Sequence, residues 1–428
     1  MKSIALISPP AFGLKDKLAY PPLGLLYLAS NMGGEYRLKI FNMLSLEDRI
    51  EGGFDIYGIS IHSSSSYGPA KRISGIIRQE NPSSLIVAGG AFPTSMAAYT
   101  LENTDVDVVV IGEGEVVFSH IAGGRALEEM NGIVYKKDGR IIVNEPEPLI
   151  ADLDSIKFPA RHLLPKEMIR HEGRVHHSDQ AATTIFGTRG CVYRCAFCDT
   201  SLWRRKWRSR SPENIIAEIN EVKRDYGIGW FRFPDDCLDL DRKWFIDFCR
   251  SIKQCAVQWT MLSRADRLDG EILGLAKEAG CREIFFGFET GSQRLLDRMD
   301  KKITVEQNIR AVELCRAAGI ISCAYMLFAF PGEDAATIEE TKRFLLAAKP
   351  DKSRISQFIP VPGSDVWLHP EKYGVRIKFN FDEHWYFDDP DFAVAYDYIG
   401  NDTMAVLRKT IMDFYREQGY CIEWEQPK

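Results

Sequence analysis

Gly190-Cys191-Val192-Tyr193-Arg194-Cys195-Ala196-Phe197-Cys198 sets three thiols in a CxxxCxxC spacing directly after a strand-like run at 183–187. Three thiolates this close in sequence suffice to hold one metal centre. A 4Fe-4S cube usually takes four cysteine ligands, so three local ones with no obvious fourth leave one iron open to a small chelating molecule. An open position is what separates a reactive metal site from a closed structural one. A zinc site and three buried thiols are the competing readings of the same spacing.

Outward from this stretch the chain alternates between strand and helix patterns. Strand runs at 183–187, 230–234, 257–262, 283–288, 321–330 and 353–359 are separated by helical patterns at 213–225, 243–253, 270–278, 304–317 and 335–348. Six such units predict a partial (β/α)6 TIM-like barrel, open on one side, with functional residues at the carboxyl ends of its strands. Those ends carry Phe233-Pro234-Asp235-Asp236, Arg264, Gly287-Phe288-Glu289-Thr290-Gly291-Ser292 and Phe330-Pro331-Gly332-Glu333. The plain alternatives are solvated loop carboxylates for the acids and a surface ion pair for Arg264.

The region before the cysteines shows the same alternation. Apolar, β-branched runs at 4–8, 38–42, 55–62, 85–89 and 106–111 predict five strands of a doubly wound, Rossmann-like parallel sheet buried on both faces. Ligands of such sheets sit beyond the strand ends, where this chain has Ser8-Pro9-Pro10, Ser60-Ile61-His62-Ser63, Gly89-Gly90 and Gly112-Glu113-Gly114-Glu115. Neither GxGxxG nor GxxxxGK[ST] occurs in this region, so a dinucleotide or P-loop reading lacks its phosphate loop. Lys136-Lys137-Asp138-Gly139 signals a β-hairpin. The proline-spaced stretch from Glu145 then reads as a linker. The expected division is a first domain at 1–145, a linker at 146–181, the barrel at 182–365 and a C-terminal segment at 366–428.

Composition narrows the class of protein. A chain of 428 residues with 45% hydrophobic content and a net charge of −6 fits a globular protein of two or three domains with no global attraction to nucleic acid. All ten cysteines lie at or after position 191, which argues against a disulfide framework and for a reducing, cytoplasmic setting. No run approaches eighteen apolar residues, so neither export nor membrane spanning is expected. Basic residues cluster between Trp203 and Arg210, next to the cysteine loop, and read as a local anion site rather than a nucleic-acid surface. Cys237, beside Asp235 and Asp236, is expected near the open face of the barrel. The aromatic and acidic run 385–391 is a candidate cover for its open side.

The motifs also carry a resemblance. CxxxCxxC after the first barrel strand, with aromatic Phe197 before the last cysteine, resembles the radical S-adenosylmethionine (SAM) superfamily. YPPLGLLYLA (20–29), DIYGIS (55–60), VAGGAFPT (87–94) and VVIGEGE (109–115) resemble the cobalamin-binding domain that precedes many radical SAM enzymes. The resemblance implies a 4Fe-4S cluster on Cys191, Cys195 and Cys198, whose fourth iron is chelated by the SAM methionine group. An electron from the cluster then cleaves SAM and releases a 5′-deoxyadenosyl radical. It implies SAM contacts from Phe197, Asp235 or Asp236, Arg264, Glu289, Ser292 and Pro331. Toward cobalamin it implies Ser60, Gly89 and Gly90, with His62, Gly112 and Glu113 at neighbouring strand ends. The DxHxxG loop of many cobalamin proteins is absent after the first strand, so no protein histidine is expected on cobalt. The function implied is methyl transfer to an unactivated carbon or a phosphinate phosphorus. Radical rearrangement or ring formation is the alternative with the same cofactors, and a cobalamin sensor or carrier with a structural cluster is the alternative of another class. The expected partners are a small-molecule or peptide substrate and an electron donor of flavodoxin or ferredoxin type.

Overall fold

The computed structural model describes residues 1–10, 20–172, 180–378, 380–382 and 393–422. The run 385–391 lies outside the described residues. The chain forms two compact units, the first being Met1–Thr183 with Asp199–Arg204 and Asn380–Tyr386, and the second the remainder. Among the described residues, no helix is long and apolar enough to cross a membrane.

The first unit is built on strands β1 (Ser3–Ser8), β2 (Arg37–Asn42), β3 (Ile56–Ser60), β4 (Leu85–Gly89), β5 (Val108–Val110), β6 (Ile133–Lys137) and β7 (Arg140–Val143). They lie in the order β2-β1-β3-β4-β5-β6-β7, with the first five parallel. Strand order reverses between β1 and β3, and loops that diverge at such a switch point open a crevice for a ligand. Ile4 to Ile7 are fully buried, as suits a strand covered on both faces. The hairpin β6–β7 extends this sheet, because β6 pairs antiparallel with β5, Val109 opposite Val134. Asp138 (φ 50°) and Gly139 (φ 73°) supply the two positive φ values of a tight primed turn. The stretch read as a linker is packed: Ala160 N donates to Leu26 O at 3.1 Å and Lys157 N to Asn31 Oδ1 at 3.0 Å. Phe381 joins this unit too, 5.0 Å from Phe92, 5.2 Å from Tyr99 and 5.8 Å from Tyr67 between ring centroids.

Next come β8 (His171–Glu172), β9 (Ala181–Thr184), β10 (Thr188–Arg189) and β11 (Arg208–Ser209), then β12 (Trp230–Phe233), β13 (Gln258–Ser263), β14 (Cys281–Glu289), β15 (Ile321–Phe328) and β16 (Lys352–Gln357). β17 (Val375–Ile377), β18 (Val394–Tyr396) and β19 (Cys421–Ile422) complete the set. The sheet order is β19-β16-β15-β14-β13-β12-β9-β8, and β12 to β16 pair in parallel with their neighbours. This is the predicted half-barrel, curled and mixed with helices. The return helices start where the sequence supplies oxygen-bearing caps: Ser211, Asp241, Asp269, Thr304 and Asp334 each accept from a first-turn backbone N–H. Against them the sheet presents Phe231, Phe233 and Trp259, and Trp259 meets Phe248 at 5.4 Å. Truncating a buried ring of this size costs about 3–5 kcal/mol. β19 pairs in parallel with β16, so the chain's last described residues cover what would be an open edge.

Candidate active site

The cysteine motif sits in a loop whose two ends are tied together by the antiparallel pair β10–β11, Arg189 opposite Arg208. Ala196 N donates to Met299 O at 2.8 Å, and Val366 N donates to Ala196 O at 3.1 Å, so both chain directions of the loop's tip are fixed. Arg210 holds the return: its Nη1 donates to Phe186 O at 2.9 Å and its guanidinium pairs with Glu218 at 2.5 Å, both side chains nearly inaccessible. Arg210 is therefore a structural clamp, although it belongs to the basic stretch read as an anion site. Arg204, in the same stretch, lies in the first unit, its Nη2 3.7 Å from where a Cβ on Gly112 would stand.

Cys191 and Cys195 are half-buried, and Cys198 is open to solvent. Burial pushes the Cys191 thiol up, and Asp236 and Cys195 add to the effect. Cys198 is ringed by enough protein that desolvation raises its thiol well above the usual range, with Asp236, Cys195 and Cys191 contributing. Cys191 and Cys198 thus feel their neighbours' charge, and a cationic metal centre would relieve that repulsion by binding thiolates. Among the described residues, no three His, Cys, Asp or Glu side chains converge closely enough to hold a single metal ion. A tetrahedral zinc would need its thiolates about 3.8 Å apart. A cube carries each thiolate on a separate corner, so three cysteines of one loop can supply three of its corners.

Two cations stand over the loop's aromatic residues. Arg264 Cζ lies 3.5 Å from the Tyr193 ring centroid, and Lys301 Nζ lies 5.5 Å from that of Phe197. Arg264 also donates to Lys301 O at 2.7 Å and to Asp266 Oδ1 at 3.1 Å. Lys301 pairs with Glu289 Oε1 at 2.6 Å; burial is the largest single influence and opposes its charge, but Glu289 and Cys195 together hold the ammonium above its ordinary range. Positive groups beside three thiolates offset their charge. Sequence reading missed Lys301, because a buried lysine in a Lys-Lys pair looks like solvated surface.

The strand-end acids divide. Asp235 Oδ1 accepts from Gly187 N at 2.9 Å, from Thr188 N and from Thr188 Oγ1 at 2.7 Å, so it fastens the start of the cysteine loop. Its buried Oδ2 has no hydrogen-bond partner. Asp236 is exposed and close enough to raise both Cys191 and Cys198, which puts it with the thiols. Glu289 is committed to Lys301 and has φ 64° at the end of β14. Ser292 is fully buried with its Oγ unpartnered, and Pro331 is buried with its carbonyl accepting from Arg298 Nε at 2.9 Å. Cys237 is buried and donates to Asp239 Oδ1 at 3.3 Å; burial first, then Asp239, raises its thiol well above the usual range.

In the first unit, Ser60 pairs with Gly89 across β3–β4, and His62 and Gly90 follow these strands. Gly90 has φ 114°, and a Cβ there would stand 2.6 Å from Ile61 O, so the backbone can pass only as glycine. His62 is exposed, with Nδ1 3.3 Å from Ser66 Oγ, and desolvation in its recess holds the imidazole below its ordinary range. Gly112 N donates to Thr94 Oγ1 at 3.1 Å. Glu113 is nearly buried, and its carboxylate accepts from Ile150 N at 2.8 Å, which docks the stretch after the hairpin. Ser95 Oγ lies 3.1 Å from Asp199 Oδ2 and 2.7 Å from Ser201 Oγ, so the residues directly after Cys198 join this unit.

A B12 binding domain model matches residues 11–122, and a Radical SAM superfamily model matches residues 185–345. An uncharacterized methyltransferase of Pyrococcus horikoshii is 30% identical over 434 residues, 97% of this chain and 92% of its own. The anaerobic magnesium-protoporphyrin IX monomethyl ester cyclase of Rubrivivax gelatinosus is 30% identical over 390 residues, 85% of this chain and 68% of its own. Among solved structures, the radical S-adenosylmethionine methyltransferase TsrM of Kitasatospora setae, with cobalamin and a 4Fe-4S cluster bound, shares the fold. Its TM-score is 0.69 at 17% identity, over 88% of this chain and 77% of that one. Two domains in this order and relatives at this identity show that the chain belongs to the cobalamin-dependent radical SAM enzymes, a family that includes methyltransferases, uses a 4Fe-4S cluster, SAM and cobalamin, and draws on a reductant.

Proposed function

We propose that this chain methylates an unactivated carbon, or a phosphinate phosphorus, of a small molecule or peptide. The observation that carries the reading is the pairing of a three-cysteine loop on a half-barrel with a cobalamin-type sheet, in a chain matching a methyltransferase over 92% of that relative's length. When bound, the cluster and SAM supply a carbon-centred radical and the corrinoid supplies the methyl carrier.

The chain's own residues hold and orient. Cys191, Cys195 and Cys198 ligate the cluster and leave one corner for SAM. Asp236, exposed beside the thiols, is the better placed of the two acids for the SAM ammonium, since Asp235 Oδ1 is engaged by Gly187 and Thr188. Arg264 and Lys301 balance the thiolates, and Phe197, Glu289, Ser292 and Pro331 frame the remaining SAM surface. Ser60, Gly89, Gly90 and Gly112 give the corrinoid tail close access to backbone, with His62 beside them and Glu113 holding the adjoining chain. Ten free thiols fit a reducing cytoplasm, and a flavodoxin or ferredoxin is the proposed electron donor. Nucleic acid is not a proposed substrate, given the acidic chain.

The cyclase relative supports a second reading, radical ring formation. Product analysis under anaerobic turnover separates the two. Methylation yields S-adenosylhomocysteine alongside 5′-deoxyadenosine, whereas 5′-deoxyadenosine alone rejects methyl transfer and favours ring formation or rearrangement.

A further inference from the structure

Around one ion pair, three residues other than glycine hold left-handed backbone. Asp300 has φ 52° and Lys302 φ 57°, one on each side of Lys301, and Glu289 has φ 64°. Such conformations cost free energy and gather where the fold must aim a side chain. The backbone of Lys301 is fixed in both directions, its N donating to Leu296 O at 3.1 Å and its O accepting from Arg264 Nη2 at 2.7 Å. Its side chain is 8% exposed and that of Glu289 12%, against 73% for Lys302. The pair also fills the space that Gly287 leaves open. A Cβ there would stand 2.9 Å from Lys301 Nζ and press on Glu289 Oε1.

A second observation concerns what the ammonium meets. It carries three N–H groups, and Glu289 Oε1, at 2.6 Å, is its one acceptor among the described residues. Buried donors left without acceptors are costly, so the remaining two are normally met by a bound group. The cysteine loop is what lies beside them. Lys301 Nζ is 5.5 Å from the ring centroid of Phe197, the residue before Cys198, and Met299, two residues before Lys301, accepts from Ala196 N at 2.8 Å.

We infer that Lys301 sets the reduction potential of the cluster by holding a fixed positive charge with unspent N–H groups beside the cysteine loop, and that Glu289 opposes it. Hydrogen bonds and charge around a cluster are what tune its potential. Taking up an electron makes the cluster more negative, so a nearby cation favours the reduced state and a nearby carboxylate the oxidised one. This rests on reading the cysteine loop as the cluster site described above.

The test is a redox titration of the reconstituted, cluster-loaded protein, followed by electron paramagnetic resonance without SAM or substrate. Lys301→Met should disfavour reduction at least tenfold, a fall of about 59 mV in a one-electron midpoint, with iron content unchanged. Lys301→Arg, which keeps the charge, should recover most of that fall, and Glu289→Gln should move the midpoint upward. Lys302→Met, next in the chain but exposed, should leave the midpoint in place. An unchanged or higher midpoint in Lys301→Met, or an equal fall in Lys302→Met, overturns the inference. Should Lys301→Met fail to hold a cluster, the sign in Glu289→Gln decides: a rise supports the inference, and a fall or no change overturns it. Wild-type protein that yields no reducible cluster rejects the cluster reading and this inference with it. A reducible cluster indifferent to both residues rejects this inference alone.

Discussion

In the first unit, strand ends are made of small residues and backbone: Ser60, Gly89, Gly90 and Gly112, with the acid Glu113 turned to Ile150. In the second unit they are made of charge: Asp235, Asp236, Arg264, and the Lys301–Glu289 pair behind them. Under the proposed function, the contrast follows from what each would hold. A large corrinoid with a long nucleotide tail needs room and close backbone approach, which glycine gives. An anionic thiolate cluster and a zwitterionic methionine group need fixed charges of both signs. The units should therefore fail independently.

The sharpest break is Cys195→Ser. It should abolish the cluster, read as iron per chain after anaerobic reconstitution, while the bound-corrinoid spectrum persists. Loss of both together would mean that the units do not act separately. Next in size, Arg210→Met leaves Glu218 buried without its guanidinium and should cost about 3–5 kcal/mol in urea unfolding. Replacing both Arg210 and Glu218 by Met should recover most of that loss. Gly90→Val forces a side chain into φ 114° and onto Ile61 O, a strain of about 1–3 kcal/mol. Corrinoid affinity should fall at least tenfold while iron content holds, and an unchanged affinity would remove Gly90 from the cobalamin surface.

A pH-dependent effect concerns Glu333, pushed up to about 8 by burial, although Ala329 N donates to its Oε2 and Thr337 Oγ1 to its Oε1. Its folded value lies above the ordinary 4.5, so between those two pH values the native state binds the proton and the unfolded state does not. Its contribution to stability is fully present below about 4.5, falls as pH rises toward about 8, and is flat above. Glu333→Gln should flatten that slope, read as urea midpoints at several pH values.

Much of this was legible locally. β-branched runs and the strand–helix alternation pointed to most of the strands and helices, and the cysteine spacing pointed to the candidate site. What escaped depends on distant partners. Glu113 is drawn away by Ile150 N, Glu289 by Lys301 and Arg210 by Glu218, and no period or motif encodes such pairings. β19 escaped for a similar reason: Cys421–Ile422 is too short to read as a strand and exists by pairing with Arg354–Ile355. Lys301 was hidden because its burial comes from the fold around it, not from its neighbours in sequence.

The most direct test of the central claim is the electron paramagnetic resonance spectrum of the reconstituted, reduced protein with and without SAM. A three-cysteine cube of about four irons with an open corner should change its spectrum when SAM is added. A spectrum indifferent to SAM, or a protein that takes up zinc in place of the cluster, would contradict it.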